Sequence, residues 1–159
     1  MNYDKKLLKR KYQKKFFNQI TNKKLFVGLC GTNPAGYLKI IKSCGFKQIF
    51  LFDNNWHNLN HPSIQKYKVK VRLNNINAFI GNYDFMDLDY CCCINSIKHL
   101  LHEVMKIKEF TMTLALRPVS EEKTLSILSK YKRNFLYRVY VEKGCPMMII
   151  YFPSKNNYK

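Results

Sequence analysis

Three short stretches carry side chains able to do chemistry, and each falls where an apolar run ends. The first is Gly28-Leu29-Cys30-Gly31-Thr32-Asn33-Pro34-Ala35-Gly36. Glycines let the backbone approach a ligand closely, and a following helix start offers amide groups to it. The second is Asp53, roughly 20 residues further on, at the spacing of a ribose-binding acid. A carboxylate there can accept both hydrogen bonds of a ribose diol, or it can serve as a helix cap or turn residue. The third is Asp84-Phe85-Met86-Asp87-Leu88-Asp89-Tyr90, where acids interrupt an otherwise apolar strand. An unpaired carboxylate at a buried strand end is costly, so this placement implies a ligand or a buried partner.

The remaining reactive residues point less sharply. Six cysteines (Cys30, Cys44, Cys91, Cys92, Cys93 and Cys145) contain no Cys-x-x-Cys pair. Three adjacent cysteines do not suit a disulfide framework, which implies a reducing, intracellular compartment. His57, His61, His99 and His102 lack zinc-finger spacing, so no metal is expected. Arg117-Pro118 can face a phosphate or substrate, or cap a loop.

The elements that must position these residues alternate. Leu8, Tyr12, Phe16 and Ile20, joined by Phe17, predict an amphipathic helix over residues 4–20. Leu25 to Cys30 is a short apolar run, as a buried parallel strand should be. A helix over 34–43 begins with Pro34 in its first turn and stops near Gly45. Gln48 to Phe52 is a second strand, 56–66 a loop or short helix, and Val69 to Leu73 an outer strand. Tyr83 to Tyr90 is a further strand, followed by one helix over 94–107. Phe110 to Leu116 is a strand and Ser120 to Tyr131 a helix. Phe135 to Val141 and Pro146 to Phe152 must pair antiparallel around a Lys143-Gly144 turn. Alternating strands and helices imply right-handed crossovers and a mostly parallel α/β sheet. Strand Leu25 to Cys30 is placed at its centre, flanked by Gln48 to Phe52 and Tyr83 to Asp89. The organisation expected is a basic helix over 1–24, one domain over 25–153 and a tail over 154–159.

Taken together, the glycine loop, Asp53 and the acidic strand end resemble the class I S-adenosylmethionine-dependent methyltransferase family. The resemblance covers about 130 residues and implies a Rossmann-like sandwich closed by the C-terminal hairpin. It also implies S-adenosylmethionine as cofactor, held by Gly28, Gly31, Gly36, Asp53 and Asn54. The chain departs from the family in three places. Phe26 and Val27 stand where an acid precedes the glycines. The loop runs Gly-x-x-Gly-x-x-x-x-Gly. Asn74 and Asn75 stand where an acid meets the adenine, and either can hydrogen-bond its edge. Asp87-Leu88-Asp89-Tyr90 matches two variants of the family's fourth motif. In one, Asp87 holds an amine and Tyr90 stacks on a base; in the other, Asp89 is the working acid. The family's C5-pyrimidine nucleophile follows a proline, whereas Tyr90 precedes Cys91, so the cysteines read as packing.

The charge bears on partners. The chain has 28 Lys+Arg against 10 Asp+Glu, a formal +18, and about +8 of it lies in residues 1–24. Such a domain attracts polyanions, of which RNA and DNA are the commonest. The competing explanation is drift toward Lys, Asn, Ile, Tyr and Phe in A+T-rich coding sequence. The basic face of the N-terminal helix is expected to track a phosphate backbone near Tyr90. The alternative is a catalytically inactive member of the fold, acting as a basic subunit of a nucleoprotein assembly. No apolar run reaches the roughly 18 residues of a membrane span, and no secretory signal is expected.

Overall fold

The computed structural model describes residues 7–154. Five strands run parallel: β1 (Leu25–Leu29), β2 (Gln48–Asp53), β3 (Lys70–Leu73), β4 (Phe85–Asp89) and β5 (Glu109–Ala115). β6 (Leu136–Glu142) and β7 (Cys145–Phe152) form the hairpin, with β7 inserted antiparallel between β5 and β6. The sheet order is β3-β2-β1-β4-β5-β7-β6, so β1 lies between β2 and β4 as its apolar run predicts. Strand order reverses between β1 and β4, which places the crevice for a ligand at their carboxyl ends. Lys143 and Gly144 both have positive φ, 50° and 74°, as a two-residue hairpin turn requires.

Helices cover both faces, each over its own core. α1 (Leu7–Phe17), α2 (Ala35–Ser43), α3 (Trp56–Leu59) and α4 (Pro62–Lys66) lie with Phe16, Phe17, Phe26, Leu38, Ile41 and Leu59 on one side. α5 (Ile94–Ile97), α6 (Leu101–Val104) and α7 (Glu121–Ser129) cover Val27, Phe52, Met86, Leu88 and Phe110 on the other. Strand periodicity does this sorting: Phe26 and Val27 are neighbours in sequence and belong to opposite cores.

Three elements depart from expectation. The helix expected over 94–107 is broken by a 3₁₀ turn at Lys98–Leu100. None of its three starts has a side-chain cap, so only packing of Ile94, Ile97, Leu101 and Val104 holds it. Residues 56–66 form two short helices, each opened by a side chain that accepts an amide: Asn55 from His57 and His61 from Ser63.

The third departure is in α1. Its buried residues are Lys9, Gln13, Phe16 and Phe17, while Leu8 is 43% exposed. The expected apolar stripe therefore holds only in the second half of the helix. The first half lies over a polar strand end, which selects Lys9 and Gln13 instead. Residues 4–6 of that expected helix, and the expected tail beyond Ser154, lie outside the described residues.

Candidate active site

The glycine loop and Asp53 meet across the ends of β1 and β2. Gly31 has φ +73 with open space where a side chain would point, and its amide donates to Asp53 Oδ2 at 3.0 Å. Asp53 also accepts from the amide of Asn55 at 2.8 Å and from Asn58 Nδ2 at 3.1 Å. A carboxylate offers about four acceptor positions, and three are filled by Gly31, Asn55 and Asn58. Asn54 beside it is exposed. Gly36 is the second residue of α2 and lies outside the turn.

Gly28, expected to contact the cofactor, has a packing role in the fold. It is buried within β1, in register with Asp87 of β4. A Cβ there would stand 2.6 Å from the Tyr37 hydroxyl and 3.0 Å from Phe26 Cε1. The missing side chain gives Tyr37, on α2, a path across β1 to Asp87. Gly28→Ala is expected to destabilise the fold by about 1–3 kcal/mol, the usual range for overpacking. Denaturant midpoints check this; an unchanged midpoint would mean that Tyr37 yields freely.

Asp87, expected to hold an amine, is enclosed by the protein. Its side chain is fully buried, bonded by the hydroxyls of Tyr37 and of Thr111 on β5, the latter at 2.6 Å. Burial pushes its carboxyl up to about 6, helped by the nearby charge of Asp89 and opposed by both hydroxyls and Lys9. Burial also raises the Tyr37 hydroxyl well above its ordinary value, with Asp87 next in effect. Tyr37 therefore stays a neutral donor.

Asp89, two residues on and on the same face, is the acid that reaches the surface; 22% of its side chain is exposed. Lys9 of α1 places its ammonium 2.5 Å from Asp89 Oδ2 while being only 1% exposed itself. The Cys91 thiol donates to the other oxygen at 2.7 Å. Burial depresses the Lys9 ammonium, but Asp89, Cys91 and Glu142 outweigh it and leave it above its ordinary value. Burial and Asp89 together push the Cys91 thiol up to about 12, which keeps it protonated and argues against a nucleophile. Tyr90 turns to the opposite face, where its hydroxyl donates to Asn77 Oδ1 at 2.9 Å. The Tyr140 hydroxyl, on β6, is buried without a partner, and Asp89 is among the charges that raise it further after burial.

Beyond β3, Asn75 caps the 3₁₀ turn Ile76–Phe79 by accepting from Asn77, and Asn74 accepts from the amide of Asn75. Both are exposed at the mouth. Two large apolar side chains lie in the open here: Trp56 at 56% on α3 and Leu73 at 53% at the end of β3. α3 packs against the ends of β2 and β3. Trp56 has a signal in sequence, a lone tryptophan three residues after Asp53. Lys9, Tyr37 and Thr111 have none. Arg117 is exposed, on the loop after β5. Among the described residues no group of His, Cys, Asp and Glu is arranged to hold a metal, and no helix is long and apolar enough to cross a membrane.

No protein-family model matches the sequence, and no curated protein matches it. Solved structures do match in three dimensions. One is a SAM-dependent O-methyltransferase from Thermotoga maritima, with TM-score 0.60 and 11% identity over 99% of this chain and 68% of that one. The METTL16 methyltransferase domain gives TM-score 0.65 and 9% identity over 92% of this chain and 67% of that one. TYW2 from M. jannaschii, in complex with AdoMet, gives 0.58 and 15% over 96% and 76%. Strand order, the antiparallel β7 and these neighbours together establish that the chain has the Rossmann-like fold of class I methyltransferases.

Proposed function

We propose that the chain binds S-adenosylmethionine over the carboxyl ends of β1, β2 and β3 and methylates a base amine or ring nitrogen of nucleic acid. The convergence of the Gly31 amide and the Asp53 carboxylate, 3.0 Å apart across two strand ends, carries the reading. It brings a left-handed glycine, whose backbone a ligand can approach, to the acid that suits a ribose diol. The surroundings fit the nucleoside half of the cofactor: Asn74 and Asn75 present amides, and Trp56 and Leu73 present apolar surface for a ring. To take both hydroxyls, Asp53 must exchange one of its present donors, Gly31 or Asn58. When bound, the cofactor supplies a methyl group on a sulfonium.

Asp89 then orients the target nitrogen, and stacking of Tyr90 on the base requires its side chain to leave Asn77. Holding a reactant in line is a large part of the barrier reduction in such a transfer. A base within a duplex must first be flipped out to reach this depth. The net charge of +18 supports a polyanionic substrate.

A second reading has its own observation in favour. Lys9 already occupies Asp89 Oδ2, where a substrate amine would sit, as in an inactive member of the fold serving a nucleoprotein assembly. Isothermal titration with S-adenosylmethionine and S-adenosylhomocysteine separates the two. Wild type is expected to bind, and Asp53→Ala to weaken binding by about 1.5–3 kcal/mol, or roughly 10- to 150-fold. Absence of binding by wild type leaves the second reading; equal binding by the variant removes Asp53 from the site.

A further inference from the structure

A second concentration of positive charge lies at the other end of the sheet. A cleft of about 340 Å³ opens where α2 and α4 meet the amino ends of β2 and β3. It is lined by Lys42, Lys47, Lys66, Lys68 and Lys70, with Tyr67 and Gln48 between them and no acid. All five lysines are exposed, and among the described residues none bonds a carboxylate. Residues 5–83 hold sixteen Lys and Arg and a single acid, Asp53. That acid sits at the far end of β2, about 16 Å away by strand rise.

We propose that this cleft binds the phosphodiester backbone of a single-stranded nucleic acid. Lysines in the last turns of helices have a local explanation, since the helix dipole favours cations there. That accounts for Lys42 and Lys66 and leaves Lys47, Lys68 and Lys70. Lys68 holds φ +53, a conformation glycine adopts at less cost. Self-repulsion among five ammonium groups around one concavity is relieved when phosphates replace their counterions. Tyr67, half-buried in the lining with Lys66 5.5 Å from its ring centroid, offers a face on which a base can stack. The exposed large apolar residues (Trp56 and Leu73 among them) lie elsewhere, so the cleft has nothing with which to enter a lipid surface.

The cleft also connects to the site at the strand ends. β3 is an edge strand, and Lys70 and Arg72 project from one face of it about 6.6 Å apart. They mark a basic path from the cleft toward Asn74. A strand held here extends the nucleic-acid part of the reading above, but its binding does not depend on the cofactor.

The test is fluorescence anisotropy with a short, labelled, mixed-sequence single-stranded RNA at a series of KCl concentrations. Replacing all five cleft lysines by Gln is expected to weaken binding at least about tenfold and to make the log–log salt slope shallower by about 2–3.5. Five Gln replacements at Lys98, Lys108, Lys123, Lys130 and Lys132 remove the same charge elsewhere and serve as control. Thermal melts establish that both variants fold. The proposal is overturned if the control flattens the slope equally, if wild type does not bind RNA, or if polyglutamate or anionic vesicles alone lose affinity in the cleft variant. Asp53→Ala is expected to bind RNA as wild type does, whatever it does to S-adenosylmethionine, so the two proposals fail separately.

Discussion

Lys9→Met is expected to lower stability by about 2–4 kcal/mol at neutral pH, and Asp89→Asn by a similar amount. The double variant is expected to recover much of the loss. Removing one partner of a buried pair leaves the other charge uncompensated; exposure of Asp89 keeps the figure toward the low side of the usual range. Lys9 is 1% exposed, so Asp89→Asn strands an ammonium with little water around it. Denaturant midpoints of the four proteins form a double-mutant cycle, and additive losses would show that the two charges do not interact.

The pH dependence follows from the sign of the shift. The Lys9 ammonium titrates higher in the fold than its ordinary 10.5. Its contribution is therefore complete below about pH 10.5 and lost as pH rises through the folded value. The advantage of wild type over Lys9→Met should shrink only in strong alkali. Under the proposed function the same substitution has a second consequence: it frees Asp89 Oδ2 for the target nitrogen. Lys9→Met with unchanged cofactor affinity but tighter RNA binding at the strand ends would mark Lys9 as a competitor for the site.

Asp87 should respond to pH in the same direction but in an acidic window. Its carboxyl titrates near 6 in the fold against an ordinary 3.8, because the site is dry and Asp89 lies close. The folded state therefore holds a proton that the unfolded chain has released between about pH 4 and 6. Stability from this group falls as pH rises through that window, by up to about 3 kcal/mol. The measurement is the difference between wild type and Asp87→Asn, in which the other carboxylates cancel. Wild type should gain on the variant as pH is lowered from about 7 to 4. A difference independent of pH would remove the buried carboxylate from the account. Asp87→Ala has a harsher outcome, because the hydroxyls of Tyr37 and Thr111 both lose their acceptor. At roughly 1–3 kcal/mol for each unsatisfied group, a loss of about 2–6 kcal/mol is expected, and a larger one than for Asn.

These two acids also show where local sequence stops informing. Apolar runs of five or six residues, glycine turns and two-residue spacing determined the strands, their order of appearance and the three strand ends. The hairpin was legible too, because Lys143-Gly144 separates two runs too close for any crossover. All of these are short-range signals, set by backbone sterics and by alternation of side chains about a strand. Alternation also puts Asp87 and Asp89 on one face, but it says nothing of depth. Depth was decided by Tyr37 reaching over Gly28, by Thr111 on the neighbouring strand, and by Lys9 arriving from 80 residues away. Each contact is made by a side chain whose own neighbourhood in sequence is ordinary. The basic cleft has the same origin: Lys42 and Lys70 are unrelated in sequence until parallel pairing of β2 with β3 brings their elements to one edge. Sequence thus determined which strand ends carry the glycine turn and the acids. Packing across the sheet decided which acid is buried and which reaches the surface, because burial and hydrogen-bond partners are properties of the assembled fold.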